Sequence, residues 1–240
     1  MNIVAGNMHF RDLNEKIRNA KDKKIHIKDC IGQRYIGSGL GGKEIVIDGV
    51  PGNALGAYLN GSIIRTNGNV QDATGDTMNG GAIYVHGSSG DATGYAMRGG
   101  KIFVKGDTGY RAGIHIKAYE EHKPTIIIGG AAGSFLGEYQ AGGNIVVLGL
   151  NSGGKPPVGY FCGTGMHGGK IYLRCDILPH DLPAQVSARD ATPEDMEEID
   201  GDLSEFCKEF QFDKKQILKN HFFVLTANTK NPYKQLYTQN

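Results

Sequence analysis

Apolar residues recur along this chain in a fixed register. Ile45, Ile64, Ile83 and Ile102 stand 19 residues apart, and Ile126, Ile145 and Ile171 continue the series, with longer gaps before Ile126 and Ile171. Two residues further on come Ile47, Thr66, Val85, Val104, Ile128, Val147 and Leu173. Alternate residues of a strand point to the same side, so the two series share one face of a short strand in every unit. A second apolar column follows at Leu40, Leu59, Met78, Met97 and Ile116. No 19-residue unit can bury its own apolar face, whereas stacked units bury it as like-on-like ladders. Stiff β-branched isoleucines suit such a ladder.

Between the two inward positions lies an outward one, occupied by Val46, Arg65, Tyr84, Phe103, Ile127, Val146 and Tyr172. A face that met water would be polar, so something covers this stripe. One cover is the chain's own N-terminal helix or the stretch after Asp176. The other is a partner subunit, anchored on Tyr and Phe. On the partner reading, Val46, Tyr84, Phe103, Ile127, Val146 and Tyr172 form a docking stripe. Phe103→Glu with Tyr84→Glu would then leave the fold intact and dissolve the complex.

Glycines keep the same register. Gly37, Gly56, Gly75, Gly94 and Gly113 form one 19-residue series, Gly49, Gly68, Gly87 and Gly106 a second, and Gly42, Gly61, Gly80 and Gly99 a third. A five-residue insertion within Lys117–Thr125 delays the next marks to Gly130 and Gly137, and a shorter one around Lys155-Pro156-Pro157 delays Gly159. The expected architecture is all-β, a solenoid of about seven units over residues 30–176. Residues 1–29 read as an N-terminal cap, with helical spacing at Phe10, Leu13 and Ile17 and a strand at Ile25-His26-Ile27. Residues 177–240 read as a helical and extended tail. There Thr192-Pro193-Glu194-Asp195 is a helix start, Gly201 is expected to break that helix before Phe206 and Phe210, and Phe222-Phe223-Val224-Leu225 reads as a strand. Asn231-Pro232-Tyr233 reads as a turn or extended segment.

Composition narrows the function. The 37 glycines among 240 residues lack a collagen period, and the net charge of +1 offers no field for nucleic acid or an anionic membrane. The N-terminus lacks a basic then apolar leader pattern, and no apolar run is long enough to span a bilayer. Four scattered cysteines, Cys30, Cys162, Cys175 and Cys207, fit a reduced, cytoplasmic protein.

The spacing G-x-x-G-x-x-x-G occurs at Gly49, Gly52 and Gly56, at Gly87, Gly90 and Gly94, at Gly106, Gly109 and Gly113, and at Gly130, Gly133 and Gly137. In the unit from Gly68 to Gly75, Gln71 replaces the middle glycine. This pattern resembles the C-terminal GXGXG domain of the glutamate synthase large subunit, a domain also found in formylmethanofuran dehydrogenase. The resemblance covers roughly residues 30–176. It implies a right-handed parallel β-helix with neither catalytic residues nor a cofactor of its own. It also implies a docking subunit that joins a glutamine-amidotransferase-like subunit to a flavin-dependent synthase-like subunit, with FMN and Fe–S held by the partners. A scaffold of a formylmethanofuran-dehydrogenase-like complex is the rival reading, and a homo-oligomer is compatible with both. A third class, a left-handed hexapeptide acyltransferase, fits a 19-residue period poorly.

Other motifs have simpler readings. Gly37-Ser-Gly39-Leu-Gly41-Gly42 satisfies G-x-G-x-x-G, but a strand rather than a helix is expected next, so no pyrophosphate site is implied. Gly149 to Lys155 imitates a phosphate loop, but Pro156 stands where Ser or Thr is required. His86 reads as a solvated residue, while His115, His122 and His167 fall near the insertions, where they could meet. Asp72 and Asp91 are stacked equivalents better suited to hydrogen-bonding turns than to calcium.

Overall fold

The computed structural model describes residues 1–228, so Asn231-Pro232-Tyr233 lies outside the described residues. The chain is mostly β. Its strands are β1 (Asn2–Val4), β2 (Lys24–Ile31), β3 (Glu44–Val50), β4 (Asn60–Thr66), β5 (Gly80–Val85), β6 (Lys101–Val104), β7 (Thr125–Ile128), β8 (Ala141–Val147), β9 (Gly168–Arg174), β10 (Val186–Asp190) and β11 (Phe222–Ala227). Three helices, α1 (Phe10–Asn19), α2 (Pro193–Phe210) and α3 (Lys214–Leu218), complete the described chain.

All eleven strands form one sheet. β1 to β9 run parallel in chain order, β11 pairs antiparallel with β9, and β10 pairs antiparallel with β11. The register aligns Ile25, Ile45, Ile64, Ile83, Ile102, Ile126, Ile145, Ile171 and Leu225 in one row. Every member is buried. Thr66 keeps its place in the second inward row because its hydroxyl donates to the Gly68 carbonyl at 3.2 Å. A buried hydroxyl without such a partner would be costly.

Successive units also bond away from the sheet. Val70, Ser89, Thr108, Ala132 and Val158 form a row of parallel bridges. The amides of Gly56, Gly75, Gly94, Gly113 and Gly137 donate to carbonyls of the preceding unit at 2.7–2.9 Å. Two glycines show what this close stacking demands. Gly94 has φ +72°, and a Cβ there would lie 2.5 Å from Cδ1 of Ile126 in the ladder. A Cβ on Gly109 would overlap Oδ1 of Asp91, which accepts the Tyr110 amide at 2.8 Å. The Asp rows therefore join one unit to the next, and Asp72 likewise accepts the Asp91 amide at 2.9 Å.

Both ends are closed. At the first, α1 buries Leu13 and Ile17 over the stack, and β1 adds a three-residue edge. At the other, β10 ends the sheet as a short, polar edge strand, which discourages pairing with other chains. The break expected at Gly201 does not occur, since α2 is continuous from Pro193 to Phe210. Gly201 is exposed, and Ile199, Leu203 and Phe206 bury the opposite side of the helix, so packing overrides its poor propensity.

Candidate functional site

The outward stripe is covered by the chain itself. Tyr84, Phe103, Ile127, Val146 and Tyr172 are buried in one cluster with Ile199, Leu203, Phe206, Cys207 and Phe210 of α2. The Phe103 and Phe206 rings meet edge to face at 5.9 Å. Val46, beside Met1 and His26, stays half-buried, as does Arg65. As a free docking stripe these residues are therefore corrected, because the tail occupies the surface a partner would need. Phe103→Glu with Tyr84→Glu would place carboxylates beneath the helix and destabilise the fold, rather than merely dissociate a complex.

Polar contacts fix the helix in register with the stack. Lys101, Thr125, Asn144 and Lys170 are equivalent residues of successive units. Lys101 pairs with Asp202 at 2.7 Å and Glu205 at 2.8 Å. The Thr125 hydroxyl donates to Asp202 at 2.9 Å, and Asn144 donates to Glu198 at 3.1 Å. Lys170 pairs with Asp195 at 2.8 Å and Glu198 at 2.7 Å, while Arg65 reaches Glu209 at 3.0 Å. From Asp195 to Glu209 a helix rises roughly 21 Å. The five strand spacings from β9 to β4 span about 24 Å. The two repeats match closely enough for each turn of α2 to meet a unit.

Ionisation follows from these contacts. Arg189 beside Asp195, aided by Lys170 and the Thr192 cap, holds the Asp195 carboxyl well below the usual carboxylate range. Burial and the Glu205 bond push the Tyr84 phenol up, and burial with the Glu198 charge does the same for Tyr172. Burial also raises all four thiols, Cys162 to about 12 and Cys175 to about 11, so they are protonated at neutral pH and poor nucleophiles.

The repeat glycines sit at contacts between units. Gly49, Gly52, Gly87, Gly90, Gly106, Gly109, Gly130 and Gly133 lie against backbone or turn side chains of the preceding unit, and Gly56, Gly94, Gly113 and Gly137 lie against ladder isoleucines. At each of them a side chain would block the close approach of one unit to the next. His86 departs from the solvated reading, packing at 4.9 Å on Phe210 with its Nε2 3.2 Å from Glu209. His115 stacks on Tyr139, and the His167 Nδ1 lies 3.2 Å from the Gly165 carbonyl. Among the described residues no group of three or more His, Cys, Asp or Glu is placed to hold a metal.

A different surface is open among the described residues. The turn segments of the later units carry exposed aromatics, among them Tyr95, Tyr110, Tyr139, Tyr160 at 65% and Phe161 at 50% exposure. Tyr95, His115 and Tyr139 form one run, with ring centroids 6.0 and 5.1 Å apart. Arg111, Phe135 and Phe161 form a second, the guanidinium 4.8 Å over Phe135 and the two phenyl rings stacked at 5.1 Å. Tyr160 extends it at 6.3 Å. Sequence reasoning passed over this face because these positions look like turns. The signal was substitution within the repeat: Asn53, Asp72 and Asp91 give way to Tyr110 and Tyr160, and Ala54, Ala73 and Ala92 to Arg111, Phe135 and Phe161.

The repeat, the glycine contacts and the closed ends together fit a known pattern. A model of the GXGXG motif family matches residues 6–230. The chain belongs to the GXGXG motif family. This GXGXG chain is 43% identical over 249 residues to Uncharacterized protein MJ1350 of Methanocaldococcus jannaschii, covering 98% of this chain and 95% of that protein. Among solved structures it is similar to a chain of the formyltransferase/hydrolase complex (FhcABCD) from Methylorubrum extorquens, determined in complex with methylofuran. The TM-score is 0.65 at 20% identity, covering 84% of this chain and 72% of that chain. The shared fold extends over most of this chain. No helix among the described residues is long and apolar enough to cross a membrane.

Proposed function

We propose that this chain is a non-catalytic docking subunit of a multi-protein complex, folded as a right-handed parallel β-helix, that binds a partner protein through its exposed aromatic face. The observation that carries this reading is the pair of aromatic runs, Tyr95–His115–Tyr139 and Arg111–Phe135–Phe161–Tyr160, which, apart from a half-buried Phe135, lie exposed among the described residues while the stripe on the sheet is sealed by α2. Tyr, Phe and Arg are the side chains that anchor protein interfaces, and a contiguous exposed cluster of them is unusual on a surface that meets only water. Two complexes suit the role. One joins an amidotransferase-like subunit to a flavin-dependent synthase-like subunit, with FMN and Fe–S in those partners. The other is formylmethanofuran-related, and the likeness to a chain of the formyltransferase/hydrolase complex favours it.

Co-expression of the full chain with each candidate partner set tests the reading. A stable complex is expected with one set. Tyr160→Ser with Phe161→Ser should weaken it by about thirtyfold or more, the scale of one lost anchor. Circular dichroism of the free chain should be unchanged. Full retention of the complex by this variant would refute the aromatic face as the docking site.

A further inference from the structure

A cleft beside the first insertion is built from one column of the repeat. Asn60, Asn79, Arg98 and Lys117 are equivalent residues of four successive units, and with Tyr119 and His122 they line a volume of about 380 Å³. Backbone bonds set their register, since each of the four amides donates to the preceding unit at 2.8–3.0 Å. Neighbouring side chains in the column therefore start roughly 4.8 Å apart.

The insertion makes the wall. Tyr119 and His122 exchange both backbone hydrogen bonds, at 3.0 and 2.9 Å, which closes a tight turn. That turn can approach the stack because glycines lie beneath it. A Cβ on Gly99 would be 3.4 Å from the His122 Cβ, and one on Gly142 would be 2.5 Å from the Ala118 amide nitrogen. Arg98 is held from the other side, its Nη1 donating to the His115 carbonyl at 3.0 Å. The remaining guanidinium donors are left for another acceptor.

The charge of the cleft is unbalanced. Among the described residues, neither Arg98 nor Lys117 takes part in an ion pair. Among the described residues no carboxylate lines the cleft; Glu120 and Glu121 sit exposed on the insertion, outside the lining. Two cations in adjacent units repel one another, and an anion between them relieves that repulsion. We infer that this cleft binds a small molecule through an anionic group, carboxylate or phosphate, held between Arg98 and Lys117. Tyr119, His122 and the two asparagines supply directional hydrogen bonds to the rest of the ligand. Its volume suits a small metabolite, and the donor set is that of anion recognition.

Titration calorimetry of the 240-residue chain at low salt, with inorganic phosphate and separately with citrate, tests the inference. Saturable one-site binding is expected for at least one probe. Phosphate alone would mark a phosphoryl ligand, citrate alone a carboxylate ligand, and both a site selecting on charge. Arg98→Gln and Lys117→Gln should each weaken binding about tenfold or more, as expected for one charge-assisted contact. Lys117 is exposed, so Lys117→Gln keeps the fold and decides the matter if Arg98→Gln does not. Absence of saturable binding for both probes, or unchanged affinity in Lys117→Gln, would overturn the inference.

Discussion

Phe206→Ala is the sharpest test of the claim that α2 belongs to the fold and covers the sheet. Phe206 is fully buried. Its ring meets Phe103 at 5.9 Å, Phe210 at 4.8 Å and Phe212 at 5.8 Å. It also lies over Gly129, where an added Cβ would be 3.2 Å from the ring. Truncating a buried phenylalanine costs about 3–5 kcal/mol, including the cavity it leaves. Each aromatic pair adds about 0.5–1.5 kcal/mol, part of it already within that figure. A loss of about 4 kcal/mol is therefore expected, which for a chain of this size lowers Tm by roughly 8–16 °C. The loss should begin locally, because α2 meets the stack along one side and can open while the ladder stays closed. Hydrogen exchange should rise first over residues 193–210, and a hydrophobic dye should bind the exposed Phe103 and Tyr172. A loss below about 1 kcal/mol by denaturant unfolding, with α2 still protected, would refute the packing argument.

Two further outcomes follow from the same helix. Gly201→Ala should stabilise the chain by about 0.5–1 kcal/mol, read as a shift in the urea midpoint, because an added methyl meets nothing within 4 Å on this exposed helical position. The Asp195 carboxyl has its folded pKa depressed by Arg189, Lys170 and the helix cap, so its contribution is complete above the ordinary carboxylate pKa of about 3.9 and is lost as the pH falls towards the folded value. Asp195→Asn should cost about 2 kcal/mol at neutral pH and flatten stability against pH below about 4, as measured by urea unfolding across the acid range.

The ladder was legible from sequence because one residue type holds one position through seven units, and stacking like on like leaves such a series a single face to occupy. The helix start at Thr192 was legible for a local reason: the cap and first turn lie within four residues, and the structure completes them with a reciprocal capping box. The cover of the stripe was not decidable, since apolar residues show that a surface is hidden and not what hides it. Only the matched spacing of Lys101, Thr125, Asn144 and Lys170 with the acids of α2 pairs the two. β10 escaped notice because its alternation rests on two residues only, Val186 and Ala188, too short a signal to mark a strand. It is a strand because β11 offers it an edge.

The backbone of the aromatic face bears on whether that face serves folding or binding. Arg111, Phe135 and Phe161 occupy left-handed conformations, with φ of +57°, +63° and +61°. The equivalent residues of earlier units, Ala54, Ala73 and Ala92, sit there too, at φ +54° to +61°, so the turn itself demands the geometry. A side chain with a Cβ costs about 1–2 kcal/mol in this region, and asparagine tolerates it better than phenylalanine. The column beside it loses a bond as well. Where Asp91 accepts the next unit's amide, Tyr110 has no carboxylate to do so. Phe135 and Phe161 thus stand where asparagine would be better tolerated, and Tyr110 forgoes a contact between units, the opposite of selection for stability alone. Phe161→Asn should then leave stability unchanged or raise it by up to about 1 kcal/mol, relief of the strain offsetting the lost stacking on Phe135. Partner affinity should fall. A drop in stability of more than about 1 kcal/mol, with partner affinity preserved, would show that the aromatics hold the stack together rather than engage another chain.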